Sequence, residues 1–484
     1  MIITNYLNSN WLFEQKKANP DKIFLTGEEN HYTFSKVYKL VTGFEHFISG
    51  KIKKNSYVPL LCENNPDFII AIFALWQIGA TPVVLNHKLR QDELTEVIQQ
   101  FDFDYILLHS DLKNKFSFTN AKKIIFPVPL DFDIEKTLPN KYESTAVVLF
   151  TSGSKSRPKG VKLSFGNLFA GAFSFDYEFN SSPEDKFLAS LPFYHIGGFS
   201  IITRSVLSGM QIIFPSGLKT ENLLLAIRKY KPNYVSLVPT MLKRLLEKGL
   251  NHYEELKNVF VGGGPSAHNI LTNAIRKQLP VTLVYGATET TSMVALKKLK
   301  DISSEFNGLH PIINVILKIS DERKKELPIN TKGEIVVTAP QVAQGYLNED
   351  EYSAKRFEGN SFYTGDAGYI DENGKLFVLG RKDDIIISGG ENINPAEIEE
   401  ALISHPEIED AYVFGETSEE WGEQIVAAIK VSVNSNLASS TLTEFLRTKI
   451  ASFKIPKKFF FMDAIPRTAL GKVKQSELKK LINS

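Results

Sequence analysis

The sequence predicts an α/β protein with a large N-terminal domain of doubly wound sheets, a small β-barrel-like subdomain and a small α+β C-terminal domain. Short apolar segments alternate with helical patterns over roughly the first 300 residues. From about residue 308 the segments are β-rich with tight turns, and the four charges at 381–384 precede a compact mixed tail. We therefore place the N-terminal domain at 1–380, its β-rich subdomain at about 308–380 and the C-terminal domain at 385–484.

Composition narrows the class of protein. The chain of 484 residues is longer than one typical core, and its formal net charge of +1 argues against general nucleic-acid binding. Cys62 is the only cysteine, so no intramolecular disulfide can form. The longest apolar run, at 68–76, is too short to span a bilayer, and the N-terminus lacks a signal-peptide pattern. We expect a cytoplasmic protein without a membrane span.

The N-terminal elements alternate between strands and helices. Apolar residues at 81–85 and 103–108 predict buried strands. Asn65 followed by Pro66 predicts a helix start, because asparagine caps a first turn and proline fits its first position. Ser35 is expected to cap an earlier helix. This β-α-β alternation predicts a parallel sheet, in which ligands bind at the carboxyl ends of the strands.

Three later strands, predicted at 187–191, 259–261 and 281–284, each run into a glycine-rich or polar loop. Glycine lets a planar ring approach the backbone closely. These loops therefore predict the floor of a site for a planar ligand.

The β-rich segment and the tail have their own signals. Asn373-Gly374 is a hairpin signal between predicted strands. Beyond the charged segment, residues 395–403 predict a helix, and residues 411–414 and 426–431 predict strands.

The segment 151–160 carries the strongest chemical signal. It lies between a predicted strand at 146–150 and an extended segment at 161–164. Its backbone N–H groups and hydroxyls can surround polyphosphate oxygens, while Lys155, Arg157 and Lys159 supply positive charge. The spacing does not match a Walker P-loop. From these residues alone, a solvated surface loop is the alternative.

Six segments resemble, in order, the motifs of the acyl-adenylate-forming (AMP-binding) superfamily: 151–160, 285–289, 363–366, 380–384, 388–393 and 466–472. The resemblance covers essentially the whole chain. It implies an acid–thiol ligase in which a carboxylate attacks the α-phosphate of ATP and CoA then displaces AMP. It also implies Mg²⁺ as the cofactor, with ATP and CoA as substrates.

The resemblance assigns a role to individual residues. Thr288 would contact the α-phosphate, Glu289 would hold Mg²⁺, and Lys472 would bridge the carboxylate and the α-phosphate. The implied ATP-binding residues are Thr151, Ser152, Gly153, Ser154, Lys159, Gly262, Gly263, Gly264, Tyr285, Gly286, Asp366 and Arg381. Of these, the three glycines and Tyr285 would flank the adenine, and Asp366 would accept both ribose hydroxyls. The alternatives are a turn residue for Asp366, a helix N-terminal residue for Glu289 and surface charge for Lys472.

The resemblance also implies motion of the C-terminal domain. Asp383 matches the family's hinge, so that the hinge spans 381–384 and the C-terminal domain is mobile. Rotation would withdraw Lys472 and bring the face carrying Gly389, Gly390 and Glu391 to the CoA channel.

The 2-succinylbenzoate–CoA ligases of menaquinone biosynthesis are resembled by five segments: 191–195, 197–204, 209–210, 388–398 and 421–422. The acid of those enzymes keeps a ring carboxylate that is not activated, so its pocket needs a cation and an aromatic wall. Arg204 is the candidate cation, and His195 and Phe199 are candidates for the wall. The alternative for Arg204 is a residue on a helix surface.

The loop departs from the family pattern at Ser154, Lys155 and Ser156, where Thr, Thr and Gly are usual. Two other functions stay open: a ligase for a fatty, benzoic or malonic-type acid, and an adenylate-binding module without CoA ligase activity. The sequence leaves the oligomeric state open, a homodimer included.

Overall fold

The computed structural model describes residues 8–101, 103–118, 121–127, 141–151, 158–264, 268–299, 308–384, 386–388, 391–418, 422–433, 435, 437–468 and 471–482. For residues 383, 387, 391, 392 and 422 only the backbone is described.

The strands of the N-terminal part are β1 (Ile23–Thr26), β2 (His31–Thr33), β3 (Tyr57–Leu61), β4 (Thr81–Val84), β5 (Tyr105–His109), β6 (Lys122–Phe126), β7 (Thr145–Thr151), β8 (Lys159–Ser164), β9 (Lys186–Leu188), β10 (Gln211–Ile213), β11 (Tyr234–Leu237), β12 (Asn258–Val261), β13 (Val281–Ala287), β14 (Ser292–Lys298) and β15 (His310–Pro311). The later strands are β16 (Ile316–Ser320), β17 (Gly333–Thr338), β18 (Phe357–Glu358), β19 (Ser361–Ile370), β20 (Leu376–Arg381), β21 (Ile386–Ser388), β22 (Glu391–Ile393), β23 (Ile408–Ser418), β24 (Gly422–Val431) and β25 (Lys458–Phe461).

The α-helices are α1 (Trp11–Ala18), α2 (Phe34–Ile48), α3 (Pro66–Gln77), α4 (Gln91–Phe101), α5 (Phe165–Phe179), α6 (Ile196–Ser208), α7 (Thr220–Tyr230), α8 (Pro239–Glu247), α9 (His268–Arg276), α10 (Asp350–Arg356), α11 (Pro395–Ile403), α12 (Ser439–Arg447) and α13 (Gln475–Ile482).

Two large sheets form the N-terminal part, as the α/β prediction requires. The six-stranded sheet has the order β6-β5-β3-β4-β7-β8, and only its edge strand β8 is antiparallel. The nine-stranded sheet has the order β15-β14-β13-β12-β11-β9-β10-β1-β2, with antiparallel strands at both edges. The fold class is thus confirmed, with parallel strands at the centre of each sheet.

Apolar helices pack between these sheets. The largest hydrophobic core contains side chains of α2, α3, α5 and α6 together with residues of both sheets. Helix α3 is an example of such an apolar helix, because ten of its twelve residues are buried. Asn65 and Pro66 start it as predicted. Each fully buried large apolar side chain contributes roughly 1.5–3 kcal/mol to folding.

Two smaller sheets follow. Strands β16 to β20 form an antiparallel sheet, and Gly374 turns the β19–β20 hairpin with a φ of 72° at the predicted position. Strands β21 to β25 form a separate sheet that has its own hydrophobic core with α11 and α12. The exact domain boundaries and the hinge remain predictions.

Two local predictions are wrong. Helix α2 is capped by Thr33, whose side chain accepts from the N–H of Lys36, and not by Ser35, which lies inside the helix. Tyr285 and Gly286 lie within β13 and not in a loop after it. The reason is tertiary, because antiparallel β14 pairs with these residues and extends the strand. Within the described ranges, no helix has the length and apolar character of a membrane span.

Candidate active site

Strands β7 and β8 form a hairpin around the predicted phosphate loop. Thr151 pairs with Lys159, and its hydroxyl oxygen lies 3.5 Å from the Lys159 carbonyl oxygen. The Lys159 ammonium lies 4.2 Å from the centre of the Tyr352 ring. The predicted phosphate-binding residues Ser152, Gly153 and Ser154 lie outside the described residues. The structure therefore gives the two ends of the loop, one of which carries a cation.

Thr288 and Glu289 form a 3₁₀ turn, Thr288–Thr290, at the end of β13. The Tyr346 hydroxyl donates a 2.9 Å hydrogen bond to Glu289 Oε1, and the Ala343 N–H donates to the Glu289 carbonyl at 2.8 Å. Burial, and then the charge of Glu289, raise the pKa of Tyr346, so the phenol stays protonated as a donor. Both the backbone and the side chain of Glu289 are therefore held in place.

A second polar cluster lies at the predicted ribose position. Asp366, on β19, accepts from the Tyr285 hydroxyl at 2.6 Å and from Arg381 Nη1 at 3.1 Å. Arg381 also donates to the Thr364 carbonyl at 2.7 Å. Burial opposes the charge of Arg381, but the carboxylates of Asp366 and Glu289 outweigh it and raise its pKa. Tyr285 and Asp366, which lie 81 residues apart in sequence, are thus in direct contact.

The glycine segment follows the strand that neighbours the one carrying Tyr285. Gly262, Gly263 and Gly264 follow β12, which pairs in parallel with β13. A Cβ on Gly262 would lie 2.6 Å from a methyl carbon of Val284, and Gly263 has a φ of 83°. Both positions therefore require glycine, and they border the surface beside Tyr285 that was predicted to hold the adenine.

Lys472 is close enough to these groups to interact with them electrostatically. Burial, and then Arg381, lower the pKa of its ammonium group, while Asp384, Asp366 and Glu289 act in the opposite direction. Part of the side chain stays exposed. The structure therefore places Lys472 within electrostatic reach of Asp366 and Glu289.

The residues at this site fit Mg²⁺ only in the presence of a nucleotide. In the parts of the chain that the structure describes, no group of three or more His, Cys, Asp or Glu side chains can hold a metal ion. Mg²⁺ commonly binds one or two carboxylates together with substrate phosphates and water. Glu289 supplies such a carboxylate, so we expect the phosphates to supply further ligands.

The candidate acid pocket is built on α6. His195 precedes this helix, 4.6 Å from Tyr194 between ring centres. Burial, and then the nearby Lys88, lower the pKa of His195 to about 4, so this side chain is neutral near pH 7. Phe199 is fully buried in the main core. Its role as a pocket wall stays a prediction.

Arg204 is a buried cation and not a helix-surface residue, with only 3% of its surface exposed. Its Nη2 donates to the Ser292 hydroxyl at 3.2 Å, and its guanidinium carbon lies 4.8 Å from the centre of the Phe175 ring. Among the described residues, Nε has no hydrogen-bond partner and no carboxylate pairs with the side chain. Burial lowers the pKa of Arg204 to about 9. Such a group is expected to favour an anion.

The hinge and CoA predictions stay predictions. Asp383 lies in a 3₁₀ turn, Lys382–Asp384, with only its backbone described. Glu391 is in β22, again with only the backbone described, while Gly389 and Gly390 lie outside the described residues.

Sequence reasoning missed the residues that support the site: Tyr346, Tyr352, Ser292 and Phe175. Each is tied to a predicted residue by a contact across the fold. Positive φ angles at Thr291 (50°) and Ser292 (86°) mark an unusual corner, but they are visible only in the structure.

Comparisons with known proteins agree with this arrangement. The sequence model of the AMP-binding enzyme family matches residues 12–347, and that of the AMP-binding enzyme C-terminal domain matches residues 397–472. A 2-succinylbenzoate–CoA ligase from Bacillus cereus is 32% identical over 484 residues, covering 98% of both chains.

Solved structures give the same picture. The o-succinylbenzoate CoA synthetase from Bacillus subtilis, in complex with an acyl-adenylate intermediate, superposes with a TM-score of 0.89 at 29% identity, covering 97% of this chain and 98% of that chain. The same enzyme in complex with ATP and a magnesium ion has a TM-score of 0.89 at 29% identity, covering 97% of this chain and 99% of that chain.

Proposed function

Because the chain belongs to the AMP-binding enzyme family, we propose that it activates 2-succinylbenzoate with ATP and transfers the acyl group to CoA. The product would be 2-succinylbenzoyl-CoA, as needed for menaquinone biosynthesis. Support comes from the relatives named above and from the cluster of Glu289, Asp366, Arg381 and Lys472. The supporting observation for the acid is the buried cation Arg204.

In the first step, an oxygen of the succinyl carboxylate attacks the α-phosphorus of ATP. The bond from that phosphorus to the bridging oxygen breaks, and pyrophosphate leaves with the electron pair. Lys472 would neutralise the carboxylate and the α-phosphate, which otherwise repel each other. Thr288 would donate to the same phosphate. Glu289 would hold Mg²⁺, which offsets charge on the phosphates when bound.

The nucleoside would be held by the second cluster. Asp366 would accept from the ribose hydroxyls, with Arg381 and Tyr285 fixing its carboxylate. The adenine would lie beside Gly262, Gly263 and Gly264, while Thr151, Lys159 and the loop between them would contact the β- and γ-phosphates. A fixed frame of this kind lowers the entropic cost of aligning the reacting atoms.

In the second step, the CoA sulfur attacks the acyl carbonyl carbon, and AMP leaves with the electrons of the carbon–oxygen bond. The C-terminal domain (385–484) would first rotate about the hinge at 381–384, withdrawing Lys472. The face with Gly389, Gly390 and Glu391 would then meet CoA. One active site would thereby perform two chemically different steps.

Arg204 would select the acid by pairing with its ring carboxylate. The guanidinium is already buried, so an incoming carboxylate forms a charge-assisted hydrogen bond in a poorly solvated place. The loss of such a pair leaves a buried charge uncompensated, which penalises acids without the second carboxylate. His195 and Phe199 would shape the aromatic part of the pocket.

The test is thioester formation from ATP and CoA with four acids side by side: 2-succinylbenzoate, benzoate, a medium-chain fatty acid and malonate. We expect strong preference for 2-succinylbenzoate. Preference for another acid would keep the ligase chemistry and reject this substrate. ATP binding without turnover of any acid would favour an adenylate-binding module.

A cytoplasmic location fits this function, because the proposed substrates are water-soluble and the lone cysteine needs no oxidising compartment.

A further inference from the structure

The segment 343–347 connects two parts of the nucleotide site through its backbone. Leu347 N–H donates to the Gly160 carbonyl at 2.7 Å, and Lys162 N–H donates to the Gly345 carbonyl at 2.9 Å. At its other end, the Ala343 N–H donates to the Glu289 carbonyl at 2.8 Å. The segment therefore joins β8, which follows the phosphate loop, to the turn that carries Glu289.

Two tyrosines extend this connection to the side chains. Tyr346 is 3% exposed, and its ring centre lies 5.3 Å from that of Tyr352 at an angle of 50°. The Tyr346 hydroxyl donates to Glu289 at 2.9 Å, while the Tyr352 ring lies 4.2 Å below the Lys159 ammonium. A packed aromatic pair thus contacts both the predicted Mg²⁺ ligand and a predicted phosphate-binding cation.

The pair is itself fixed in position. The Tyr346 N–H donates to the Ser353 hydroxyl at 2.9 Å, and that hydroxyl donates to the Glu349 carbonyl at 2.7 Å. Phe357 packs against Tyr346 with ring centres 5.3 Å apart. Because packed aromatic rings have few alternative rotamers, the groups that they hold lose little further freedom when a ligand binds.

We propose that Tyr346 and Tyr352 are a positioning pair that orients Glu289 and Lys159 for the Mg²⁺-bound triphosphate. Tyr346 acts through its hydroxyl, which fixes one Glu289 oxygen and leaves the carboxylate oriented for the cation. Tyr352 acts through its ring face, which holds the Lys159 ammonium by a cation–π contact. The inference rests on the proposed function to the extent that Mg²⁺ and ATP bind here.

The two tyrosines use different atoms, so the same substitution should weaken ATP binding at one position and leave it unchanged at the other. Tyr346→Phe removes the hydroxyl that contacts Glu289 and keeps the ring packing. Tyr352→Phe keeps the ring under Lys159, whereas Tyr352→Leu removes it. A merely structural role predicts no such difference between the two phenylalanine variants.

The experiment is calorimetric titration of the full chain with ATP, once with Mg²⁺ and once with EDTA. We expect Tyr346→Phe to weaken binding about 10-fold with Mg²⁺, as for a lost hydrogen bond to a charged group, and little with EDTA. Tyr352→Phe should bind like the wild type. Tyr352→Leu should bind ATP about 3-fold more weakly both with Mg²⁺ and with EDTA, as for a lost cation–π contact. Thermal unfolding of each variant is the control for folding.

Equal ATP affinity of Tyr346→Phe and the wild type with Mg²⁺ would overturn the proposal, as would equal losses with Mg²⁺ and EDTA. If Tyr346→Phe does not fold, the comparison of Tyr352→Phe with Tyr352→Leu still decides, because indistinguishable affinities reject a role for the ring. These titrations contain no acid. The variants could show the expected ATP affinities while the wild type forms no thioester from 2-succinylbenzoate. That result would reject the proposed substrate but still support the positioning pair.

Discussion

The guanidinium of Arg204 carries a charge that the surrounding side chains compensate only in part. It contacts a serine hydroxyl and an aromatic ring, and it is almost completely buried. Burial of a charge without an opposite charge is costly, and a bound carboxylate offsets that cost. If Arg204 binds the ring carboxylate as proposed, the same property would make it a strong selector between acids with one and with two carboxylates.

Replacement of Arg204 by methionine should lower kcat/KM for 2-succinylbenzoate about 100-fold, the effect of losing a hydrogen-bonded charge pair. Steady-state thioester formation measures it. The comparison acid is 4-oxo-4-phenylbutanoate, which lacks the ring carboxylate and whose kcat/KM should not fall in the variant. Arg228→Met, at an exposed position on α7, is the matched control. Equal losses for both acids would contradict the selector role.

At the scale of residues, the sequence predicts groups that belong to local motifs. Asp366, Arg381 and Lys472 stand in such motifs, and the structure brings them together. Tyr346 and Ser292 are different, because their importance comes from contacts with Glu289 and Arg204 across the fold. A tyrosine or a serine in an extended segment has no local pattern that reveals such a contact.

At the scale of elements, the contact of α11 with β23 contains the buried carboxyl group of Glu399, whose pKa is raised. The N–H of Val413 donates to Glu399 Oε1 at 2.9 Å. Burial raises the pKa of Glu399 to about 7, while Val413 and Arg467 act in the opposite direction and Asp410 and Asp384 add to the rise. Glu399 therefore binds a proton more tightly in the folded protein than in the unfolded chain.

The sign of the resulting pH dependence follows from linkage. Between the unfolded pKa near 4.3 and the folded pKa of about 7, the folded state binds more protons, so this group's contribution to stability falls as pH rises. Glu399→Gln removes this pH-dependent loss of stability, because the glutamine side chain does not titrate. The free energy of unfolding of the variant relative to the wild type should thus rise by about 1–3 kcal/mol from pH 5 to pH 8.

Urea unfolding of both proteins at pH 5, 6, 7 and 8 checks this prediction. A signal from the C-terminal sheet is needed, because separate cores can unfold independently. A difference in free energy that stays constant with pH would contradict the assignment to Glu399.

Most elements of the fold follow from local pattern. Helix α11 has the predicted bounds 395–403, and β24 contains the predicted strand at 426–431. One error is a local shift of the α2 cap from Ser35 to Thr33, and the other arises from strand pairing. Strand β13 continues through Tyr285 and Gly286 because β14 pairs with it, and the polar residues there gave no sign of that pairing.

At the scale of the whole molecule, the proposed mechanism requires the C-terminal part to move between its two steps. This part has its own hydrophobic core, and it meets the N-terminal part at Lys243, whose ammonium lies 3.4 Å from the Glu409 carbonyl oxygen. The sequence predicts the separate core through its apolar pattern. It does not predict the relative position of the two parts, because that depends on a few contacts between surfaces.

Asp383→Pro should separate the two steps, because proline fixes φ near −65° and removes the N–H of the predicted hinge residue. We expect adenylate formation to persist and thioester formation to fall at least 10-fold. Rapid-quench measurement of acyl-adenylate and thioester in one reaction distinguishes these effects. Unchanged rates of both steps would place the hinge elsewhere.

In the proposed mechanism Lys472 enters the site for the first step only, and two separate half-reactions test this role. The first is exchange of labelled pyrophosphate into ATP with 2-succinylbenzoate, and the second is thioester formation from supplied 2-succinylbenzoyl-adenylate. We predict that Lys472→Ala lowers the rate of pyrophosphate exchange at least 100-fold, because a charged contact in the transition state is lost. The rate of thioester formation from the supplied adenylate should stay unchanged. Lys474→Ala, at an exposed neighbouring position, should keep both. Loss of both half-reactions in Lys472→Ala, or of neither, would show that Lys472 does not act in the first step alone.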